Sequence, residues 1–93
     1  MRESLVEKLL RSLVDKAGGL CIKLNPLGYV GIPDRIVLLP GGVLIFVECK
    51  KPKGGKIAPM QAWWRDKLIG LGFRHEYVFT KDEARKLIEE STR

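Results

Sequence analysis

The stretch that most constrains the fold of this chain is residues 31–50, GIPDRIVLLPGGVLIFVECK. It predicts two strands, at residues 34–39 and 43–50, because β-branched and other apolar residues fill both runs. Gly41 and Gly42, which follow Pro40 between the two runs, allow the positive φ of a tight hairpin turn. The second run is almost continuously apolar, which is typical of a central strand covered on both faces. We therefore expect a sheet built around this hairpin.

Three charged residues lie at the open end of the predicted hairpin. Asp34 begins the first strand, and Glu48 and Lys50 end the second. Because side chains alternate along a strand, Glu48 and Lys50 share one face and Cys49 lies on the other. The turn brings Asp34 opposite them, and two carboxylates beside an apolar run need a compensating partner. Oxygen ligands of this kind suit Mg²⁺ or Mn²⁺, whereas the alternative is a salt bridge from Lys50 to one carboxylate.

The rest of the chain predicts helices and strands around the hairpin. The predicted elements are a helix at residues 2–17, a strand at 20–24, a helix from residue 59, a strand at 73–79 and a helix from residue 80. Trp64, Leu68 and Leu71 form the packing stripe of the second helix, and Thr80 with Glu83 predicts a capping box for the third. The order α-β-β-β-α-β-α predicts an α/β fold in which helices flank a mixed central sheet.

Composition limits the possible functions. Seventeen basic and 11 acidic residues give a net charge of +6, which favours a polyanionic partner, by default nucleic acid. No segment is apolar over the length that a membrane span requires. The two cysteines occur in apolar contexts that favour reduced thiols, so we expect a cytoplasmic protein, in the host cytosol if it is viral. We expect residues 1–93 to form one domain.

These residues resemble the signature of the PD-(D/E)xK nucleases, and in particular the VRR-NUC branch, the virus-type replication-repair nuclease domains. The resemblance extends over nearly the whole chain. The residues that carry it are Gly31-Ile32-Pro33-Asp34-Arg35, Val47-Glu48-Cys49-Lys50, Pro59-Met60-Gln61 and Trp64. It implies a restriction-endonuclease-like core and a DNA endonuclease, dependent on Mg²⁺ or Mn²⁺, that hydrolyses phosphodiester bonds.

The resemblance implies a set of catalytic and metal-binding residues. Asp34 and Glu48 would bind the ion together with the backbone carbonyl of Cys49, and Lys50 would orient the attacking water and offset charge on the phosphate. Gln61 lies three residues before Trp64, so it points toward the sheet, where a glutamine is a poor core residue. We expect it to hydrogen-bond the water, a phosphate or Lys50, in line with its place in the family's active site.

The first helix is expected to add an acidic residue to this site, because the resemblance implies one there. Glu3 and Glu7 lie four residues apart and share one side of the predicted helix. Glu7 is preferred as the catalytic and metal-binding carboxylate because it lies deeper in the helix. Glu3 remains the alternative.

Contacts to DNA are expected from polar and aromatic residues in the loops around the site, where phosphates of a bound strand would pass. They are Lys23, Asn25, Tyr29, Lys51, Lys53 and Lys56. A domain of this size has little surface to grip a long duplex. The related Holliday-junction resolvases act as homodimers, so the resemblance implies a homodimer that cleaves four-way or branched DNA in repair.

Three alternatives remain open at the level of sequence. The first is a nicking nuclease that acts on plain or flapped duplex. The second is a basic nucleic-acid-binding module whose acidic residues only form salt bridges, so that it binds DNA without cleaving it. The third is a structural or partner-binding domain that uses Trp63 and the basic loop.

Overall fold

The computed structural model describes residues 3–25 and 28–93. Over this part of the chain the elements follow the predicted order α-β-β-β-α-β-α. They are α1 (Leu5–Lys16), β1 (Leu20–Lys23), β2 (Arg35–Leu39), β3 (Val43–Cys49), α2 (Pro59–Gly70), β4 (Arg74–Val78) and α3 (Lys81–Ser91). The predicted helix start at residue 2, and Pro26 and Leu27 of the predicted loop, lie outside the described residues.

The four described strands form one mixed sheet, as the sequence predicted, and within it they lie in the order β1-β2-β3-β4. β1, β2 and β3 pair antiparallel, whereas β3 and β4 pair parallel and are joined by the crossover helix α2. Gly41 and Gly42 turn the hairpin with φ of +89° and +76°. The register pairs Arg35 with Val47, so Asp34 lies beside Glu48.

Helices α1 and α3 cover one face of the sheet and form the core with it. Every second residue of the central strands faces these helices, which is the periodicity of a strand with a buried face. The fully or almost fully buried apolar residues are Leu10, Val14, Val37, Ile45, Val47, Val78 and Ala84. This face keeps the hairpin rigid and therefore fixes the end at which the charged residues converge.

Helix α2 covers the other face only in part. Leu68 is buried, but Leu71, which the sequence placed on the same stripe, is 62 % exposed. That prediction was wrong because α2 ends at Gly70 and the chain turns away at Leu71. At the far edge of this face, Leu20 and Ile22 of β1 are exposed. One face of the sheet is thus covered by α1 and α3, and the other keeps an apolar region open.

Caps at the helix N-termini agree with the sequence in part. Ser4 and Glu7 form a complete capping box at α1. At α3 the Thr80 hydroxyl accepts from the Glu83 N–H, but the Glu83 carboxylate accepts from the Phe79 N–H, so only half of the predicted box is present. None of the helices in the described part of the chain combines the length and apolar character that crossing a membrane requires.

Candidate active site

The hairpin register holds two carboxylates together at the open end of the sheet. The Asp34 backbone N–H donates to Glu48 Oε2 at 2.8 Å, and the Cys49 N–H donates to Asp34 Oδ2 at 3.3 Å. Each side chain therefore accepts from the backbone of the opposite strand. This reciprocal pairing fixes both side chains, because a carboxylate that accepts a backbone hydrogen bond loses much of its rotational freedom. The convergence of Asp34 and Glu48 that the sequence predicted is present.

Glu48 is the more buried of the two carboxylates. Only 3 % of its surface is exposed. Burial, followed by the charge of the Asp34 carboxylate, raises the pKa of Glu48 from 4.5 to about 7. The charged form of Glu48 is therefore unfavourable near neutral pH unless a cation compensates it.

Gln61 and Lys50 complete a connected polar network on the same face. The Lys50 ammonium donates to Gln61 Oε1 at 2.6 Å, and Gln61 Nε2 donates to Glu48 Oε1. Lys50 Nζ also lies 3.8 Å from Glu48 Oε1, which gives the ion pair that the sequence allowed as an alternative. The glutamine thus links the lysine to the buried carboxylate, so Asp34, Glu48, Lys50 and Gln61 lie in one cluster.

Gln61 reaches this cluster because the first turn of α2 is held in place. Its Oε1 also accepts from the Ala58 N–H at 2.9 Å, so the same side chain caps the helix. Gly31, with φ of +85°, lies so close to this turn that a Cβ would come within 2.7 Å of the Met60 backbone. The Trp64 indole N–H donates to the Val30 carbonyl at 3.0 Å. The segment before Asp34 and the start of α2 therefore form one unit.

Glu7 of α1 and Glu3, which lies before the N-cap of that helix and not within it as the sequence predicted, are both bound to Arg35, a residue that the sequence did not single out. Arg35 lies on β2, facing the core, and is 4 % exposed. Its guanidinium forms ion pairs with Glu3 and, at 3.2 Å, with Glu7. Glu3 also pairs with Arg11 at 3.2 Å. An arginine in step with Val37 and Leu39 on a buried face requires acidic partners, and that alternation was the signal available in the sequence.

Cys49 and Glu7 lie on the opposite face of β3 from Glu48. Burial, and then the nearby Glu7 carboxylate, raise the pKa of the Cys49 thiol to about 12. Both residues line a cavity of about 760 Å³ between the first turns of α1 and α3. Lys50 and Lys51 also line this cavity, so it opens beside the polar network.

The predicted DNA contacts are all exposed and spread over three places. Lys23 ends β1 and Asn25 follows it, whereas Tyr29 packs edge-on against Trp64, with ring centroids 6.0 Å apart. The basic loop between β3 and α2 carries Lys51, Lys53 and Lys56. Of these residues, Lys51 is the one that lines the cavity beside the site.

The chemistry of the donor set fits a hard divalent cation. Asp34 and Glu48 supply two carboxylates, and the burial of Glu48 penalises its charge unless a cation neutralises it. Within residues 3–25 and 28–93, three or more His, Cys, Asp or Glu side chains do not converge into a ready-made metal cage. The protein therefore offers a two-carboxylate site, of the kind that leaves ligand positions for water and phosphate.

Comparisons with known proteins find similarity to nucleases. No protein-family model matches the sequence. The chain is 47 % identical over 72 residues to a curated protein named "Putative nuclease p44", from Acyrthosiphon pisum secondary endosymbiont phage 1; the match covers 77 % of this chain and 76 % of that protein. A solved VRR-NUC domain is 36 % identical, and the match covers 90 % of each chain with a TM-score of 0.84. This match confirms the predicted restriction-endonuclease-like core.

Proposed function

Because the chain belongs to the VRR-NUC family of nucleases, we propose that it is a metal-dependent endonuclease that cleaves Holliday junctions or other branched DNA as a homodimer. The observation that carries this proposal is the network that connects Asp34, Glu48, Gln61 and Lys50. It combines two carboxylates with one amine at the open end of the central strands β2 and β3, and this donor set suits metal-assisted hydrolysis of a phosphodiester. Its place would be the cytosol, of a host cell if the protein is viral.

The residues that would hold Mg²⁺ or Mn²⁺ are Asp34 and Glu48, with the backbone carbonyl of Cys49. When bound, such an ion polarises a phosphoryl oxygen and lowers the pKa of a bound water. A third carboxylate from Glu7 or Glu3 would have to leave Arg35, which binds both. The minimal metal site in this proposal therefore contains only the carboxylates of the hairpin.

Lys50 and Gln61 have separate tasks in the proposed reaction. The Lys50 ammonium offsets the negative charge that develops on the phosphate during attack, and it orients the attacking water. Gln61 holds that ammonium at 2.6 Å and ties it to Glu48, so the amine is positioned before DNA arrives. A preorganised donor of this kind does not have to reorganise in the transition state.

The positive charge of the protein supports a path for DNA across the site. The net charge is +6, and the exposed basic loop directly follows Lys50 in the chain. Lys51 extends the positive charge into the cavity between α1 and α3. Phosphate contacts of this type position the backbone without reading the base sequence, as a structure-selective enzyme requires.

The open region of the sheet supports the homodimer in this proposal. Leu20 and Ile22 are 60 % and 43 % exposed, and they share a face with their pairing partners Leu38 and Ile36. Phe73, which packs edge-on against Phe46 of that face, is 45 % exposed. A second copy of the chain would remove this apolar surface from water. Two copies would also supply two sites, one for each strand cut in a four-way junction.

The test is the cleavage of a labelled four-way junction and of a linear duplex with the same arms, at low salt, with EDTA, Mg²⁺ or Mn²⁺. We expect metal-dependent paired nicks in the junction from the wild type and none from Asp34→Asn. Asp15→Asn, which changes an exposed aspartate of α1, is the matched control and should cut normally.

Each other outcome of this test removes a defined part of the proposal. Equal cutting of the linear duplex would keep the nuclease and refute the junction preference, leaving a nicking enzyme. Binding of DNA without cutting, under every metal condition, would refute the catalytic role and leave a basic binding module.

A further inference from the structure

A row of three aromatic rings lies beside the site and has no role in the proposed hydrolysis. Tyr29 packs edge-on against Trp64 with centroids 6.0 Å apart, and Trp64 packs edge-on against Trp63 at 5.2 Å. Tyr29 precedes Asp34 by five residues, and Trp63 follows Gln61 by two. We call Tyr29, Trp63 and Trp64 the aromatic row.

The central ring of the aromatic row is explained by the fold. Trp64 is half-buried, and its indole N–H holds the segment before Asp34 against α2 by donating to the Val30 carbonyl. The outer rings are not explained in this way, because Tyr29 is 58 % and Trp63 50 % exposed. Val30, whose carbonyl accepts from Trp64, and Met60, whose backbone lies against Gly31, are 76 % and 43 % exposed. Two aromatic faces in one exposed apolar patch indicate an interaction surface.

The aromatic row lies on the two segments that position the polar network. Gly31 lies against the Met60 backbone, and Met60 is the neighbour of Gln61 in the first turn of α2. A ligand that contacts Trp63 or Tyr29 would therefore touch the two segments that position Gln61 and Asp34.

The charges around the aromatic row favour an anionic ligand. Lys56 lies two residues before the N-cap of α2, and Lys67 shares a side of the helix with Trp63 at a spacing of four. Both lysines are exposed. The acidic residue nearest in sequence, Asp66, is paired with Arg65 at 2.9 Å. A ligand that combines negative charge with flat apolar rings fits this surface, and unpaired nucleotides have both properties.

We propose that Tyr29 and Trp63 stack on unpaired bases of the DNA strand that enters the site. The inference rests on the proposed nuclease function and names its substrate class more closely: DNA with unpaired nucleotides next to the cleaved bond. Stacking on aromatic side chains accepts any base, because every base has a flat face. Bases within a duplex already stack on one another and cannot use these rings. The aromatic row thus provides a preference for flaps, and for branch points whose central bases are unpaired, over plain duplex.

The experiment compares two ligands in EDTA, so that binding is measured without cleavage. The ligands are labelled oligo(dT) and a fully paired duplex of the same length, and the readout is fluorescence anisotropy. Trp63→Ala and Tyr29→Ala should each weaken oligo(dT) binding about tenfold, the loss of one stacked base, and leave duplex binding within about twofold. Trp63→Phe, which keeps a flat ring, should retain most of the affinity. Ile69→Ala removes an equally exposed apolar side chain of α2 and should not change the affinity for either ligand.

Three results would overturn this inference. The first is unchanged oligo(dT) affinity in both alanine variants. The second is a loss of duplex affinity as large as the loss of oligo(dT) affinity. The third is a change in molar mass of Trp63→Ala by light scattering, which would make the aromatic row an interface between copies. Cleavage by the wild type is measured separately. If oligo(dT) binding depends on Trp63 but the wild type does not cleave DNA, the nuclease proposal is refuted and the stacking inference is not.

Discussion

Replacing Glu48 with glutamine should remove the loss of stability that we expect in the metal-free protein as the pH rises toward 7. The folded protein raises the pKa of Glu48 from 4.5 to about 7, so it binds this proton more tightly than the unfolded chain does. The contribution of Glu48 to the free energy of unfolding is therefore fully present below about pH 4.5 and is lost as the pH rises through about 7. At about 1.4 kcal/mol per pH unit, the loss amounts to about 3 kcal/mol. Glutamine stays neutral and imitates the protonated acid, so the variant should escape this loss.

The assay is urea denaturation in EDTA at pH 5 and pH 8, for the wild type and Glu48→Gln. At pH 8 the variant should be more stable than the wild type by about 2 kcal/mol relative to their difference at pH 5, because at pH 5 the unfolded chain has already released most of this proton. Glu76→Gln, an exposed glutamate of the neighbouring strand β4, is the control and should follow the wild type. An identical pH dependence in the wild type and Glu48→Gln would refute the argument that Glu48 is destabilised by its charge.

Three further variants test the surroundings of the site. Gly31→Ala adds a Cβ within 2.7 Å of the Met60 backbone, at a residue whose φ is positive. Because α2 would have to shift, nuclease activity should fall at least tenfold. Normal activity would contradict the close contact between Gly31 and α2. Arg35→Met leaves the largely buried Glu7 without a cation and Glu3 with Arg11 alone, and it should lower the free energy of unfolding by about 3 kcal/mol in urea titrations. A change below about 1 kcal/mol would show that Glu7 finds another partner. Lys53→Ala should reduce the slope of the logarithm of the duplex binding constant against the logarithm of the salt concentration by about one. An unchanged slope would show that Lys53 does not contact bound DNA.

The hairpin made most of the fold predictable. Residues 31–50 combine apolar strands with a double-glycine turn, and local chemistry of this kind fixes the register without distant contacts. The convergence of Asp34 and Glu48 followed directly from that register. The helix limits were predicted to within a few residues because the pattern of apolar residues and the end glycines agree.

The features that the sequence did not reveal depend on contacts between distant elements. Arg35 binds both Glu3 and Glu7, and neither partner can be identified from spacing because α1 and β2 meet only in the folded chain. The choice between the two glutamates therefore could not be made from their position in the helix. Leu71 continued the apolar spacing of α2, but the helix ended before it, and periodicity does not show where a helix stops.

Binding of a divalent cation by Asp34 and Glu48 is central to the proposed function. The direct measurement is Mn²⁺ binding by isothermal titration calorimetry at pH 8, for the wild type, Asp34→Asn and the exposed control Asp15→Asn. We predict binding by the wild type and the control, and at least a tenfold loss of affinity in Asp34→Asn, because one of two carboxylate ligands is removed. Equal Mn²⁺ affinity in all three proteins, or no binding by the wild type, would contradict the account.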